Sequence, residues 1–142
     1  METPNIVLDT NVIIAAQRSQ RGASAKLMSL IGTGRFEIHL SVPLVLEYED
    51  VLHRQSSSLG LTREDVTDLV DALCALSQHH KIHYLWRPQL RDARDELILE
   101  LAVAAQCSHI VTYNRRDFVG AEQFGIRIVT AKEFLQEIGE LK

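Results

Sequence analysis

Acidic and amide side chains follow short apolar segments of this 142-residue chain, at points where strands are expected to end. Asp9 closes the first apolar run, and Asp95 begins a helix after the third predicted strand. Asn114 and Asp117 follow the fourth predicted strand. Because ligands collect beyond the carboxyl ends of parallel strands, these positions are candidates for a single site.

The residue types indicate the kind of ligand. Two carboxylates about 4 Å apart repel by roughly 4 kcal/mol at an effective dielectric near 20, so a fold that gathers several must protonate them or bind a cation. Carboxylate and amide oxygens with no neighbouring His or Cys favour Mg²⁺ or Mn²⁺ over zinc. The pattern therefore predicts a site for Mg²⁺ or Mn²⁺.

Strands that alternate with helices must position these side chains. The predicted strands are residues 5–9, 36–40, 82–86, 110–112 and 127–129, and the predicted helices begin at or near Thr10, Ala25, Pro43, Thr62, Asp92 and Thr130. Strict alternation predicts that strand 36–40 is half-buried, and the polar stretch 55–58 predicts the end of the helix that starts near Pro43. Thr62 and Thr130 each begin a capping-box pattern. The order predicts a three-layer α/β/α fold with a mainly parallel central sheet.

Composition excludes several classes of protein. With 46% apolar and 24% charged residues, residues 1–142 are expected to form one globular domain. Cys74 and Cys107 are far apart, which argues against a zinc site or a secreted disulfide scaffold and favours the cytoplasm. The sequence shows neither a basic leader nor a long apolar run, so export and membrane insertion are not expected. A net charge of −4 is unsuited to nonspecific coating of duplex nucleic acid but allows a local basic strip.

Four segments in chain order carry the candidate acids. They are V-L-D-T-N-V-I-I at 7–14, S-V-P-L-V-L-E-Y-E-D-V-L at 41–52, Asp95 with Ile98 and Ala102, and V-T-Y-N-R-R-D-F at 111–118. In this order and at these separations they resemble the four motifs of PIN domains, and the chain is similar to the bacterial toxin-like (VapC-like) branch. The fourth segment departs from the family pattern because Asn114 stands where an acid is usual.

The resemblance implies an endoribonuclease that depends on Mg²⁺ or Mn²⁺ and hydrolyses phosphodiester bonds in single-stranded or loop RNA. By position, the metal ligands would be Asp9, Glu47 and Asp95, with Asn114 supplying a neutral oxygen and Asp92 and Asp117 as auxiliary acids. Helical periodicity places Glu47 and Glu49 on opposite shoulders of one apolar stripe and does not choose between them. The resemblance alone selects Glu47.

Further roles rest on the same resemblance. Thr10, Asn11 and Thr112 would orient Asp9 or a water molecule. Arg115 and Arg116 would contact RNA phosphates, and Arg87, Arg91 and Arg94 cluster near the third motif. A toxin of this branch implies an RNA substrate, an antitoxin whose basic or hydrophobic segment neutralises the acidic cleft, and a homodimer.

Other interpretations remain open. Asn114 removes one negative charge, which favours one bound metal over two, or a PIN-fold module that binds RNA or a partner with little catalysis. An aspartate phosphotransferase also begins with an acid at a strand end, but it needs a second Asp where Asn11 stands. Asp9, Asp92 and Asp95 also suit helix N-termini. His79, His80 and His83 are expected to be solvated or packed.

Overall fold

The fold is given by a computed structural model, which describes residues 3–81, 90 and 92–142. In these residues five strands form one sheet, β1 (Asn5–Leu8), β2 (Glu37–Ser41), β3 (Gln78–His80), β4 (His109–Val111) and β5 (Arg127–Val129). The strand order is β3-β2-β1-β4-β5, and every neighbouring pair is parallel. β1 is central and pairs Ile6 with Ile38 on one side and with His109 on the other.

Helices flank the sheet and complete three layers, which confirms the predicted α/β/α architecture with a parallel sheet. The helices of the described ranges are α1 (Thr10–Arg18), α2 (Ala23–Ser29), α3 (Val42–Leu59), α4 (Arg63–Ala75), α5 (Ala93–Ala104) and α6 (Ala131–Glu137). None of the helices described has the length and apolarity needed to cross a lipid bilayer. That residues 1–142 form a single domain stays a prediction.

The core lies on both faces of the central strands. Ile6, Val7 and Leu8 of β1 have no exposed surface, as expected for a parallel strand covered by helices on both sides. Phe36 meets Phe134 of α6 edge to face, with ring centroids 5.5 Å apart. Because the sheet is so well covered, polar atoms accumulate at its edges, where the strands end.

The capping patterns are confirmed. Thr62 and Asp65 form a complete capping box at the start of α4, and Thr130 and Glu133 form another at the start of α6. In each box the threonine oxygen accepts from the third backbone N–H of the helix, and the acid accepts from the backbone N–H of the threonine. Local sequence alone is enough to fix these two helix starts.

The prediction of a half-buried β2 is wrong. His39 is only 6% exposed, so both faces of this strand are covered. The polar ring is satisfied inside the fold, because its Nε2 lies 2.8 Å from Asn5 Oδ1 and its Nδ1 lies 2.7 Å from His80 Nε2. Burial, followed by the charge of His80, lowers the pKa of His39. His80 is packed against the His39 ring. His79 is hydrogen-bonded through Nε2 to the carbonyl oxygen of Cys74.

One predicted helix end needs correction, and one predicted strand lies outside the described residues. α3 continues through residues 55–58 and ends at Gly60, whose φ of 70° few other residues adopt. The hydroxyls of Ser56 and Ser58 bond to carbonyls three residues earlier, so these polar residues fit inside the helix. The predicted strand 82–86 and His83 lie outside the described residues, so that strand stays a prediction. Among the described strands β3 was not predicted, because a helix end was expected at residues 78–80.

Tyr48 joins α3 to the central strand. Its side chain is 2% exposed, and its hydroxyl donates to the carbonyl oxygen of Leu8, the last residue of β1. Burial, and secondarily the nearby charge of Asp9, raises the pKa of Tyr48, so the phenol keeps its proton and remains a donor. The bond fixes the helix that carries Glu47 against the strand that leads to Asp9.

We predict that Tyr48→Phe lowers the free energy of unfolding by about 1–3 kcal/mol, because the buried Leu8 carbonyl loses a donor while the ring packing is kept. Urea denaturation in the presence of EDTA measures this loss. An unchanged denaturation midpoint would show that the hydroxyl does not hold α3 to β1.

Candidate functional site

A pocket with a volume of about 410 Å³ lies where β1 and β4 end. It is lined by every acidic or amide residue that the sequence assigned to metal binding or catalysis, namely Asp9, Glu47, Asp92, Asp95, Asn114 and Asp117. Glu49, the periodicity alternative to Glu47, is exposed and is not among the described lining residues. The tertiary structure therefore separates two glutamates that the helical pattern could not. Their roles as ligands stay a prediction.

Each side chain reaches the pocket from a different element. Asp9 is the N-cap of α1, Glu47 lies in the second turn of α3, and Asp95 lies in the first turn of α5. Asn114 precedes a 3₁₀ turn at residues 115–118 that follows β4 and contains Asp117. Because β1 and β4 are adjacent and parallel, their carboxyl ends bring segments that are about a hundred residues apart to the same edge.

Asp9 is buried and held firmly by hydrogen bonds. It is 8% exposed, and this burial raises its pKa, while hydrogen bonds from Thr112 and from the backbone of Thr10 and Asn11 act in the opposite direction. The Thr112 hydroxyl donates to Asp9 Oδ2 over 2.7 Å. Asp117 raises the pKa further through its charge. The carboxylate is thus oriented by donors from two segments, and no cation of the described ranges forms an ion pair with it.

Thr112 also joins the end of β4 to the start of α1. Its hydroxyl oxygen accepts from the backbone N–H of Asn114 at 3.0 Å and lies 3.4 Å from Asn11 Nδ2. Asn11 Oδ1 in turn accepts from the backbone N–H of Tyr113. The network contains Asn11 and Thr112, to which the resemblance gave an orienting role, and Thr10 contributes through its backbone. Any effect of these residues on catalysis remains a prediction.

Asp95 has a strongly raised pKa. Burial, and then the charges of Asp9, Asp117 and Asp92, raise its pKa from 3.8 to about 7, against a smaller opposing effect of Arg94. Without a bound cation, Asp95 therefore keeps its proton below about pH 7. A pocket in which carboxylates resist ionisation is one that gains from a cation.

Asp92 differs from Asp95 because it has a cation of its own. Arg94 Nη2 lies 3.0 Å from Asp92 Oδ2, and the backbone N–H of Arg94 donates to Asp92 Oδ1 over 2.8 Å. Hydrogen bonds to Arg94 hold the pKa of Asp92 below its usual range. Asp92 therefore caps α5 and pairs with Arg94, which makes it the least available acid of the pocket. Arg87 and Arg91 lie outside the described residues.

The arginines that the sequence assigned to RNA lie elsewhere. Arg115 pairs with Glu133, which itself belongs to the α6 capping box, and Arg116 is exposed. Neither is among the described lining residues of the pocket, so contact with RNA by either one stays a prediction. The cations that do line the pocket are Arg18 and Arg94. Arg18 lies four residues after Ile14 and therefore on the same face of α1. This spacing is the sequence signal that could have indicated Arg18.

The donors fit a hard divalent cation in kind. The lining that the structure describes offers carboxylate and amide oxygens and no His or Cys, and Asp9 and Asp95 carry charge that their surroundings disfavour. Within the described ranges, no three His, Cys, Asp or Glu residues already form a metal-binding group. The pocket thus has the chemistry of a Mg²⁺ or Mn²⁺ site without a closed set of ligands.

Comparison with known proteins agrees with this fold and pocket. A family model described as PIN domain matches residues 5–116, and the chain belongs to the PIN domain family. PIN domains are generally nucleases and typically use divalent metals. The PIN resemblance drawn from the four sequence segments is thereby confirmed.

One solved structure shows the same fold. The chain is similar to a chain of the crystal structure of VapBC2 from Rickettsia felis bound to a DNA fragment from their promoter, with a TM-score of 0.56 and 13% sequence identity. The match covers 87% of this chain and 96% of that chain. A comparison with curated proteins finds no match.

We predict that Asp95→Asn stabilises the metal-free protein at pH 8. The raised pKa means that ionised Asp95 costs stability above about pH 7 and that this cost disappears as pH falls toward 3.8. We expect a Tm increase of about 2–4 °C in EDTA at pH 8, after allowance for solvent screening, and almost none near pH 4.

Asp68→Asn is the matched control, because Asp68 is an exposed acid of α4 outside the described pocket lining. It should leave Tm nearly unchanged at both pH values. Equal shifts for the two variants would contradict the electrostatic crowding of Asp95.

Proposed function

We propose that this chain is a metal-dependent endoribonuclease of the VapC-like branch of PIN domains and acts as the toxin of a toxin–antitoxin pair. The observation that carries the proposal is the gathering of acidic and amide side chains from four distant segments around one pocket at the sheet edge. Membership of a family whose members are generally nucleases supports it.

Asp9, Glu47 and Asp95 would hold Mg²⁺ or Mn²⁺, and Asn114 would add a neutral oxygen. When bound, such a cation lowers the pKa of water and neutralises charge on a phosphodiester. Asp117 would be the available auxiliary acid, since it forms no ion pair within the described part of the chain, whereas Asp92 is paired with Arg94. The burial of Asp95 and its crowding by Asp9 and Asp117 support this assignment, since a bound cation relieves the repulsion above about pH 7, where Asp95 has lost its proton.

The protein's own residues prepare the site. Thr112 and the backbone at the start of α1 hold the Asp9 carboxylate in one orientation, so little ordering remains when substrate binds. Ile14, Val51 and Ile98 give the pocket apolar walls beside the acids. Such walls limit water and strengthen the electrostatic interactions of a bound phosphodiester.

The acidic pocket also suits a protein inhibitor. A basic segment of an antitoxin would neutralise the charges of Asp9 and Asp95, and a hydrophobic segment would cover the apolar walls of the pocket. The structural likeness to VapBC2 supports a partner of this kind. We propose that the protein acts in the cytoplasm, with RNA as substrate, and that it forms a homodimer.

The proposal predicts that the purified protein cleaves single-stranded RNA only when Mg²⁺ or Mn²⁺ is present. Glu47→Gln should lower kcat/KM by about a hundredfold or more, because it removes a charged ligand at the reacting phosphate. Gel analysis of a labelled RNA measures the rate, with inductively coupled plasma analysis to verify metal removal by EDTA.

Glu49→Gln is the matched control on the same helix. It makes the same chemical change two residues away, at an exposed position outside the described pocket lining, and should cleave at the normal rate. If Glu47→Gln and Glu49→Gln cleave equally well, Glu47 does not belong to the reacting centre.

A second function, RNA or partner binding with little catalysis, is favoured by two observations. Asn114 supplies no charge, and Arg94 already neutralises Asp92. Both features reduce the negative charge available to a cation. Asn114→Asp should therefore raise Mn²⁺ affinity about tenfold in calorimetry, whereas Gln123→Glu, the same amide-to-acid change outside the described pocket lining, should not. Absent Mn²⁺ binding and absent cleavage by the unaltered protein would favour the binding module.

A further inference from the structure

The pocket extends from the acids into a groove between α1 and α3. The α1 residues that line it include Ile14 and Arg18, and the α3 residues are Glu47, Val51 and Gln55. These positions repeat at i, i+4 and i+8, which places them along one face of each helix. The pocket is therefore an elongated channel along two packed helices, with the acids at one end.

Arg18 and Gln55 lie at the other end of the groove. Arg18 Nη2 donates to Gln55 Oε1 over 2.8 Å, which joins the last residue of α1 to α3. At 1.5 Å rise per residue, Arg18 lies about 12 Å along α1 from Thr10, which sits beside Asp9. A phosphate at Arg18 is thus one that flanks the bond to be cut.

The partner of Arg18 leaves its charge available. Gln55 is neutral, so the hydrogen bond orients the guanidinium without neutralising it. In the described part of the chain Arg18 forms no ion pair, whereas Arg94, the other described cation of the lining, is paired with Asp92. An acidic groove repels each phosphate of a nucleic acid that does not face a cation. Arg18 supplies such a cation away from the acids.

The middle of the groove is apolar. Ile14, Ala15 and Val51 line it between the acidic end and the Arg18 end. Apolar walls between two polar ends match one nucleotide, whose base or ribose has apolar faces and whose phosphates are charged. An arginine guanidinium, such as that of Arg18, can bind a phosphate through two parallel hydrogen bonds.

We propose that the groove between α1 and α3 binds the single-stranded RNA next to the scissile bond, and that Arg18, oriented by Gln55, contacts the flanking phosphate. This inference rests on the proposed nuclease function for the position of the scissile bond. It assigns substrate contact to a residue outside the four sequence segments, rather than to Arg115, whose charge is compensated by Glu133.

The test compares Arg18→Gln with Arg21→Gln. Both variants remove one positive charge, but Arg21 is exposed, lies beyond the end of α1 and does not line the described pocket. Each is made in full-length Asp9→Asn protein, which keeps a short fluorescent single-stranded RNA intact. Binding is measured by fluorescence anisotropy over a series of salt concentrations with Mg²⁺.

We expect Arg18→Gln to weaken RNA binding at least fivefold and to reduce the slope of log affinity against log salt by about 0.7, the value for one phosphate contact on a single strand. Arg21→Gln should change neither. In protein that retains Asp9, Arg18→Gln should raise KM with little change in kcat, because the flanking contact acts equally before and during the reaction. Gln55→Leu should give a smaller loss of affinity, since Arg18 keeps its charge but loses its orientation.

The outcomes separate this inference from the nuclease proposal. Equal RNA affinities and salt slopes for Arg18→Gln and Arg21→Gln, or no RNA binding at any salt concentration, would overturn the groove assignment whether or not the protein cleaves RNA. Arg18-dependent binding without cleavage by the unaltered protein would uphold the groove and reject the nuclease. A loss of Tm in Arg18→Gln with an unchanged salt slope would assign Arg18 a structural role only and also overturn the inference.

Discussion

Mutual repulsion among carboxylates at the carboxyl edge of β1 and β4 is the constraint on which the site depends. Burial, and after it the charges of the nearby Asp9 and Asp117, raises the pKa of Asp95 to about 7. Two hydrogen bonds hold the acids in place against this repulsion. Thr112 donates to Asp9, and Tyr48 fixes α3 to the end of β1. Such uncompensated charge is typical of a site prepared for a cation and costly in a site without one.

The remaining features of the pocket follow from that concentration of charge. A polyanionic substrate cannot enter an acidic pocket unless cations neutralise its phosphates, so metal binding and RNA binding are coupled in the proposed function. Arg94 is already paired with Asp92 at the acidic end, whereas Arg18 at the far end is held by a neutral amide. In the proposed function, the scissile bond lies at the acidic end of the groove and a flanking phosphate lies at the basic end.

The sequence predicted the elements whose signals are local. The capping boxes at Thr62 and Thr130 and the short apolar strands near residues 5–9, 36–40, 110–112 and 127–129 need only neighbouring residues, and they appear as expected. The predictions failed where distant contacts decide. β2 looked half-buried because His39 is polar, but bonds to Asn5 and proximity to His80 allow that ring to be buried. The serines at 56 and 58 looked like a helix end, but their hydroxyls bond within α3.

The sequence by itself determined the alternation of strands and helices, the chemical type of the candidate ligands and the PIN family, because these depend on residue identity and spacing along the chain. Only the tertiary structure decided that Glu47 rather than Glu49 lines the pocket, that Arg94 is occupied by Asp92, and that Arg18 meets Gln55. The reason is physical. Helical periodicity defines the face of a single helix, whereas the meeting of two side chains depends on how helices and strands pack against each other.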